Sequence, residues 1–351
     1  MKNFGWFLTD RHSLEKRDIP IPQLKPDEVL IHPEYVGICG SDLHWYDDPI
    51  TPPVPGYHIP LPLMLGHEAG GIVASVGEQV TSLKVGDRVA VEPGVPCGVC
   101  SQCKAGRYNL CEKMLFMAAP PFKTGALCNY FAHPAHMTFK LPENVSTKEG
   151  ALLEPLAVGM HGTNLGGIGL GDTAVILGCG CIGLTVLLSC LAKGASKVIV
   201  VDIFDKRLEK AMELGATAVI NSMKEDLIPR VREILGGALP THVFETAGNR
   251  ITTGQTASLV AKGGTIVIVG TPQGEVPFNF SLASTREAKI LTVFRYRNIY
   301  PTALEAVRTG KIRVADIASH EFGGADVPDA FHQALTQKQE IVKAIIHFEE
   351  E

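Results

Sequence analysis

The sequence predicts a two-domain α/β chain: a β-rich domain joined to a doubly wound parallel sheet. Three features predict it. Up to about residue 150 the chain is rich in Pro and Gly and in short Val/Ile runs, such as EVLIHPEYVGICG, GIVASVG and DRVAVEPG, the texture of hairpins or a partly open barrel. Beyond that point strand-like runs alternate strictly with helical segments, the signature of a parallel sheet with crossover helices. The last stretch, roughly 294–351, holds one clear helix (Tyr300–Thr309) and one closing strand (Lys343–Phe348), too little for a core of its own. It is therefore expected to rejoin the first domain. At 351 residues the chain is long enough for two cores, and the domains are drawn at 1–155 with 293–351, and at 156–292.

The elements follow in order. A helical segment covers Glu149–Leu165 and leads through the loop GGIGLGD to the first of six strand-like runs. These are Ala174–Leu177, Val198–Val201, Ala218–Ile220, His242–Glu245, Thr265–Val269 and Ile290–Val293. The helical segments Lys206–Leu214 and Leu227–Leu235 show apolar residues at three- and four-residue intervals. Between Thr173 and Ala192 twenty residues pass without a charge, near the length of a membrane span. Glycines at 178, 180 and 183 divide that stretch into a β-branched strand and an apolar helix, so it reads as a buried strand-turn-helix.

Composition narrows the function. The chain is 45% hydrophobic and 20% charged with a net charge of −5, and no basic block suggests nucleic acid or an acidic membrane. The N-terminal MKNFGWFLTD lacks the apolar core of a signal peptide. Nine cysteines cluster rather than spread, which favours metal ligation in a reducing, cytoplasmic setting over a disulfide framework. Cys128, Cys179, Cys181 and Cys190 read as small apolar packing residues.

Gly178-Cys179-Gly180-Cys181-Ile182-Gly183 is a G-x-G-x-x-G turn between an expected strand and an expected helix, and Asp202 closes the next strand. In that setting the glycines let backbone approach a pyrophosphate resting on the helix N-terminus. Asp202 can accept hydrogen bonds from both ribose hydroxyls and would repel a 2′-phosphate, which favours NAD over NADP; the bland alternative is a cap for the helix starting near Asp205. Arg207 pulls the other way, since a nearby arginine can bind a 2′-phosphate.

Cys97, Cys100, Cys103 and Cys111 offer four thiolates in the pattern C-x2-C-x2-C-x7-C, a closed ligand set for structural zinc. A dispersed second set comprises Cys39 in GICGSD, His67 and Glu68 in LGHEAGG, and Glu154 in LLEPLAVG. It supplies one thiolate, one imidazole and one or two carboxylates for a zinc with an open position. Such an ion acts as a Lewis acid on an alcohol oxygen, and an alkoxide beside a nicotinamide can lose hydride.

At GICGSDLH (37–44), LGHEAGGIV (65–73), GDRV (86–89), the cysteine quartet, LLEPLAVG (152–159), GCGCIG (178–183) and Asp202, the chain resembles the zinc-containing medium-chain dehydrogenase/reductase family over nearly its whole length. Glu154 in EPL and the segment FRYRNIYP (294–301) are most similar to the polyol branch, the sorbitol and xylitol dehydrogenases. The resemblance implies a GroES-like catalytic domain beside a Rossmann sheet, two zinc ions per chain, and NAD. It implies Cys39, His67 and Glu68 as catalytic zinc ligands, with Glu154 a ligand directly or through water. Ser41 and His44 would relay the proton, Phe116, Glu154, Arg295 and Tyr296 would hold the polyol, and Val269, Gly270 and Thr271 would lie near the nicotinamide. A homodimer or homotetramer is implied as well. Polyol enzymes commonly read His-Tyr-Trp where this chain has His44-Trp45-Tyr46, and the loop 47–62 is proline-rich. Both flank the expected pocket and leave the particular polyol open. His58 in that loop is within reach of the site, though a solvated loop residue is the commoner case, and His133 and His161 read as packing or surface residues. The other readings are a relative acting on a vicinal diol, threonine or a sugar acid, and a non-catalytic dinucleotide-binding protein.

Overall fold

A computed structural model describes residues 2–50, 59–121 and 124–349. The chain divides into two compact units, Met1–Glu154 with Tyr300–Gly310 and Ala318–Glu351, and Pro155–Ile299 with Lys311–Ile317.

The first unit is built on two sheets, antiparallel except where His320–Gly323 pairs in parallel with Ala344–His347. Phe4–Asp10 pairs with Ser13–Asp18 on one side and Leu63–Met64 on the other. A larger sheet runs Thr138–Lys140, Arg88–Val91, Glu68–Val76, Glu28–Gly37, Ala344–His347, His320–Gly323, with Phe131–Pro134 also on Glu28–Gly37. The long Val/Ile runs become strands because alternate side chains bury against one shared core, in which Leu8, Ile31, Leu63, Leu65, Phe331 and Ile346 meet. The C-terminal strand lies inside this sheet. Ile345 stands opposite Gly37, and the Ile38 amide donates to the Ala344 carbonyl at 3.0 Å. The sheet also needs strand His320–Gly323 and helix Val327–Thr336, two elements the sequence reading did not anticipate.

One buried group in this unit links the fold to pH. His133 is 1% exposed, and its Nε2 lies 2.9 Å from the Glu92 carbonyl. Burial pushes its pKa down to about 4. The folded chain thus keeps His133 neutral where the unfolded chain, with a pKa near 6.5, takes up a proton. Stability contributed by the neutral ring is full above about pH 6.5 and is lost as pH falls toward 4, by roughly 3 kcal/mol. In His133→Gln the slope of unfolding free energy against pH between 6.5 and 4 should flatten by about that amount. Denaturant titrations at several pH values that give parallel curves for both proteins would refute this.

The second unit carries a six-stranded sheet in the order Ala218–Asn221, Lys197–Asp202, Thr173–Leu177, His242–Glu245, Thr265–Ile268, Lys289–Thr292, parallel throughout. Its inner strands are apolar through their middles, with polar residues at their ends, because a parallel sheet is covered on both faces. Val175, Leu177, Ile199, Val201, Val243 and Ile266 are buried together. The register aligns Leu177 with both Val201 and Glu245, and Glu245 with Ile268, so the strands end together. Strand order reverses at Thr173–Leu177, the place where such sheets open a crevice for ligands. The uncharged stretch 173–192 is this strand plus the helix Cys181–Ala192. Among the described residues no helix is long and apolar enough to cross a membrane.

Candidate active site and metal centres

Two ligand clusters form among the described residues, both in the first unit. One candidate ligand atom from each of Cys39, His67 and Glu68 lies within 4.8 Å of the others, and the four thiols of Cys97, Cys100, Cys103 and Cys111 converge in the same way.

The first cluster is assembled by sheet pairing. Cys39 follows strand Glu28–Gly37 and precedes helix Gly40–Asp47, and Gly37 stands opposite Glu68 in the neighbouring strand. Asp42, in the first turn of the helix, locks the arrangement: its carboxylate accepts from the Cys39 amide at 3.2 Å and from the Gly66 amide at 3.3 Å. Its Oδ1 also lies 3.5 Å from His67 Nδ1, the way a carboxylate orients a ligating imidazole through the other ring nitrogen. Burial works against protonation of His67, but the negative charges of Asp42 and Cys39 outweigh it and hold the imidazole pKa well above its usual value. Phe116 faces the ring, with centroids 5.4 Å apart.

Lys343 completes the cluster. It is 2% exposed, its Nζ donates to the Ile38 carbonyl at 2.9 Å, and it forms an ion pair with Glu68, itself 1% exposed. Removing one partner of such a pair leaves a buried charge uncompensated, typically at about 3–5 kcal/mol. A thiolate, an imidazole and a carboxylate so arranged fit zinc and leave a fourth position open.

The second cluster occupies residues 94–116, a lobe bounded by the pairing of Gly94–Val95 with Leu115–Phe116. Sulfur separations are 3.4 Å for Cys100–Cys103 and 4.0 Å for Cys97–Cys103. These are too long for a disulfide, and they bracket the roughly 3.8 Å edge of a tetrahedron with bonds of about 2.3 Å. The thiols compete for charge. The Val99 and Cys100 amides draw the Cys97 pKa down to about 6, whereas burial and the neighbouring Cys100 push Cys103 up to about 12. Four thiolates side by side need a cation, and a closed zinc site fits.

The nucleotide unit offers a third site. Helix Cys181–Ala192 starts directly after Gly180. A Cβ on Gly183 would stand 2.0 Å from the Gly178 carbonyl oxygen, so only glycine lets helix and turn pack this closely. Asp202 Oδ2 accepts from the Cys179 amide at 2.7 Å, and Oδ1 accepts from Ile203 and Phe204 at 2.7 and 3.1 Å. Its carboxylate therefore ties the glycine turn to the next strand, while the cap of helix Asp205–Glu213 is Phe204. The Arg207 guanidinium would lie 3.6 Å from a Cβ on Gly180, beside the same turn. These residues fit a dinucleotide.

Residues 25–143 match the alcohol dehydrogenase GroES-like domain and residues 181–309 the zinc-binding dehydrogenase domain. The chain is 47% identical over 331 residues to an uncharacterised zinc-type alcohol dehydrogenase-like protein, YdjJ, of Escherichia coli strain K12, covering 94% of this chain and 93% of that one. It is 38% identical over 330 residues to the sorbitol dehydrogenase of Bacillus subtilis strain 168, covering 94% and 92%. The chain belongs to the zinc-containing medium-chain dehydrogenases, in their polyol branch. A crystal structure from Escherichia coli of an oxidoreductase/dehydrogenase of unknown specificity, involved in membrane biogenesis, superposes with a TM-score of 0.94 at 44% identity over the whole of both chains. The dehydrogenase is thus an oxidoreductase acting on alcohols, with a GroES-like domain and a Rossmann sheet.

Within this dehydrogenase the structure brings Cys39, His67, Glu68 and Phe116 together. Glu154 is buried in the same unit but outside that ligand cluster. Ser41 and His44 are exposed, three positions apart on helix Gly40–Asp47. Arg295 and Tyr296 belong to the nucleotide unit, as do Val269, Gly270 and Thr271, which follow strand Thr265–Ile268. His58 lies outside the described residues. Asp42 and Lys343 are the neighbours of the first cluster that sequence reasoning missed. Lys343 did leave a signal, as a lone charge in the apolar run IVKAIIHF.

Proposed function

We propose that the protein is an NAD-dependent polyol dehydrogenase that oxidises a secondary hydroxyl to a ketone, with a catalytic zinc held by Cys39, His67 and either Glu68 or Glu154. The observation that carries this reading is the convergence of Cys39, His67 and Glu68 around an open position. When bound, the zinc supplies a Lewis acid for the alcohol oxygen and the nicotinamide a hydride acceptor. The chain's own residues do the rest. Asp42 orients His67, and Lys343 holds Glu68 in place. Ser41 accepts a hydrogen bond from the reacting hydroxyl in this reading. His44, one helical turn on, can take the proton outward, because desolvation, then the Lys338 charge, lower its pKa and keep it neutral. Phe116 lines the pocket, and Arg295 and Tyr296 hold further hydroxyls. The cysteine quartet holds a second, structural zinc.

NAD is favoured by Asp202. Three backbone amides fix its carboxylate, leaving lone pairs for ribose hydroxyls and a charge that repels a 2′-phosphate. Asp202→Ala should weaken NAD binding about tenfold and narrow its advantage over NADP, as read by fluorescence titration with both reduced dinucleotides. An unchanged NAD affinity would take Asp202 out of the ribose site. The reading as a whole is tested by kinetics on sorbitol, xylitol, galactitol, the arabitols and 2,3-butanediol with NAD. Turnover of the diol alone, or of none, would overturn the polyol assignment.

A further inference from the structure

The turn that joins the first two strands breaks a local rule. Strands Phe4–Asp10 and Ser13–Asp18 are connected by Arg11 and His12 alone, and His12 holds φ at +57°. That left-handed conformation is uncommon outside glycine, which enters it without steric conflict. A second breach lies across from it. Asp47 is the last residue of helix Gly40–Asp47, where the free carbonyl ends of the helix repel a carboxylate. The two unfavourable choices meet. His12 Nε2 donates to Asp47 Oδ1 at 2.9 Å, and Arg11 Nη2 donates to the same oxygen at 3.2 Å. The His12 bond first, then that of Arg11, draw the Asp47 pKa below its ordinary value.

The turn grips more of the helix than this carboxylate. The His12 amide donates to the Tyr46 carbonyl at 3.0 Å, and the His12 ring lies against the Tyr46 ring with centroids 5.1 Å apart. Tyr46 is 3% exposed and also meets Phe331 edge-on at 5.4 Å. It is one of the two aromatics whose order sets this chain apart from the polyol enzymes. Stability does not account for the clasp. Its ion pairs are half-exposed and of a kind that adds little, and a glycine at position 12 would release the strain. Local rules are broken where function gains from it.

What the clasp holds is the helix that carries Ser41 and His44. That helix has only eight residues. Asp42 pins its first turn to the Cys39 and Gly66 amides, and the hairpin turn pins its last, so the Ser41–His44 face is fixed at both ends. Anchored at one end alone, the helix could tilt His44 out of line with Ser41, and proton transfer falls off steeply with misplacement. We propose that His12 is a positioning residue for proton transfer: through Tyr46 and Asp47 it holds the end of the helix on which His44 stands. This role rests on the Ser41–His44 relay of the reading above.

The test measures steady-state turnover in H2O and in D2O, with NAD and the best substrate of the series above, on the full-length zinc-loaded protein. His12→Gly should lower kcat about fivefold and raise the solvent isotope effect on kcat, because proton transfer then limits the rate more. Zinc content should stay at the wild-type level and the thermal midpoint within about 2 °C, since relief of the left-handed residue offsets the lost contacts. Asp47→Asn should lose about as much turnover. The double variant should be no slower than either single one, because all three remove the same contact. A His12→Gly protein with wild-type kcat and isotope effect overturns the proposal, as does one whose activity falls only in step with its zinc content or melting temperature. Losses that multiply in the double variant overturn it too. If His12→Gly does not fold, Asp47→Asn decides: wild-type turnover overturns the proposal, and slower turnover with a raised isotope effect supports it. His44→Ala separates the clasp from the relay. Wild-type turnover there refutes the relay and the proposal with it, whereas a slow His44→Ala beside an unaffected His12→Gly refutes the proposal alone.

Discussion

Cys39→Ser should lower kcat on the best substrate by about 10³-fold or more and reduce the zinc content by one ion per chain. The magnitude follows from the chemistry assigned to the site. A Lewis acid contributes several kcal/mol to stabilising charge on an oxygen, and each 1.36 kcal/mol is a factor of ten in rate. The effect should stay local. Cys39 is only partly buried, and serine retains the backbone amide that donates to Asp42 at 3.2 Å. Thermal stability should therefore move by little more than the loss of one ligand implies. Metal analysis and steady-state kinetics on the same sample settle the matter. Full turnover by a variant holding one zinc would mean that the cluster of Cys39, His67 and Glu68 is not where the alcohol reacts.

Cys111→Ser should show the opposite profile, with a large loss of stability and a loss of activity that follows from it. The lobe 94–116 has little core of its own. Helix Ser101–Lys104 contains no buried residue, and Val99, Leu110 and Leu115 are exposed. Cross-linking by a cation would replace the missing apolar burial, as in other small metal-stapled segments. The midpoint of thermal unfolding should fall by about 10 °C, since each kcal/mol shifts a unit of this size by roughly 2–4 °C. Activity should decline through Phe116, which the lobe holds against His67. A variant that lacks this zinc and melts with the wild type would show that the quartet braces nothing.

Much of this was legible in the sequence, and the exceptions have physical causes. The six parallel strands could be placed because each is a short apolar-centred run flanked by helices or turns; the inner ones are buried, while Lys289–Thr292 at the edge is largely exposed. The glycine turn was legible because Gly183 admits no Cβ and Asp202 follows at the end of the next strand. The quartet announced itself through local spacing. Strand His320–Gly323 was not legible: it is four residues long and partly exposed, and it exists only because Ala344–His347 offers it a partner. Helix Val327–Thr336 buries Val327, Ala330, Phe331 and Ala334, a stripe too short to stand out, with Pro328 in its first turn. Asp42 and Lys343 eluded the reading for another reason. Their importance lies in what they touch, and the contacts of Lys343 reach across most of the chain.

That reach bears on how the protein is made. Lys343 and Ile38 are 305 positions apart, yet their hydrogen bond and the adjoining ion pair with Glu68 close the first metal cluster. As a ribosome extrudes the chain, Cys39, His67 and Glu68 emerge early and must wait for the strand Ala344–His347 before their sheet and their counter-charge exist. The nucleotide unit, whose six strands lie in one continuous stretch, can fold while that wait lasts. Assembly of the first cluster is thereby deferred until the strand Ala344–His347 has emerged, and a nascent chain stalled before residue 343 carries Cys39, His67 and Glu68 without the strand and counter-charge that hold them.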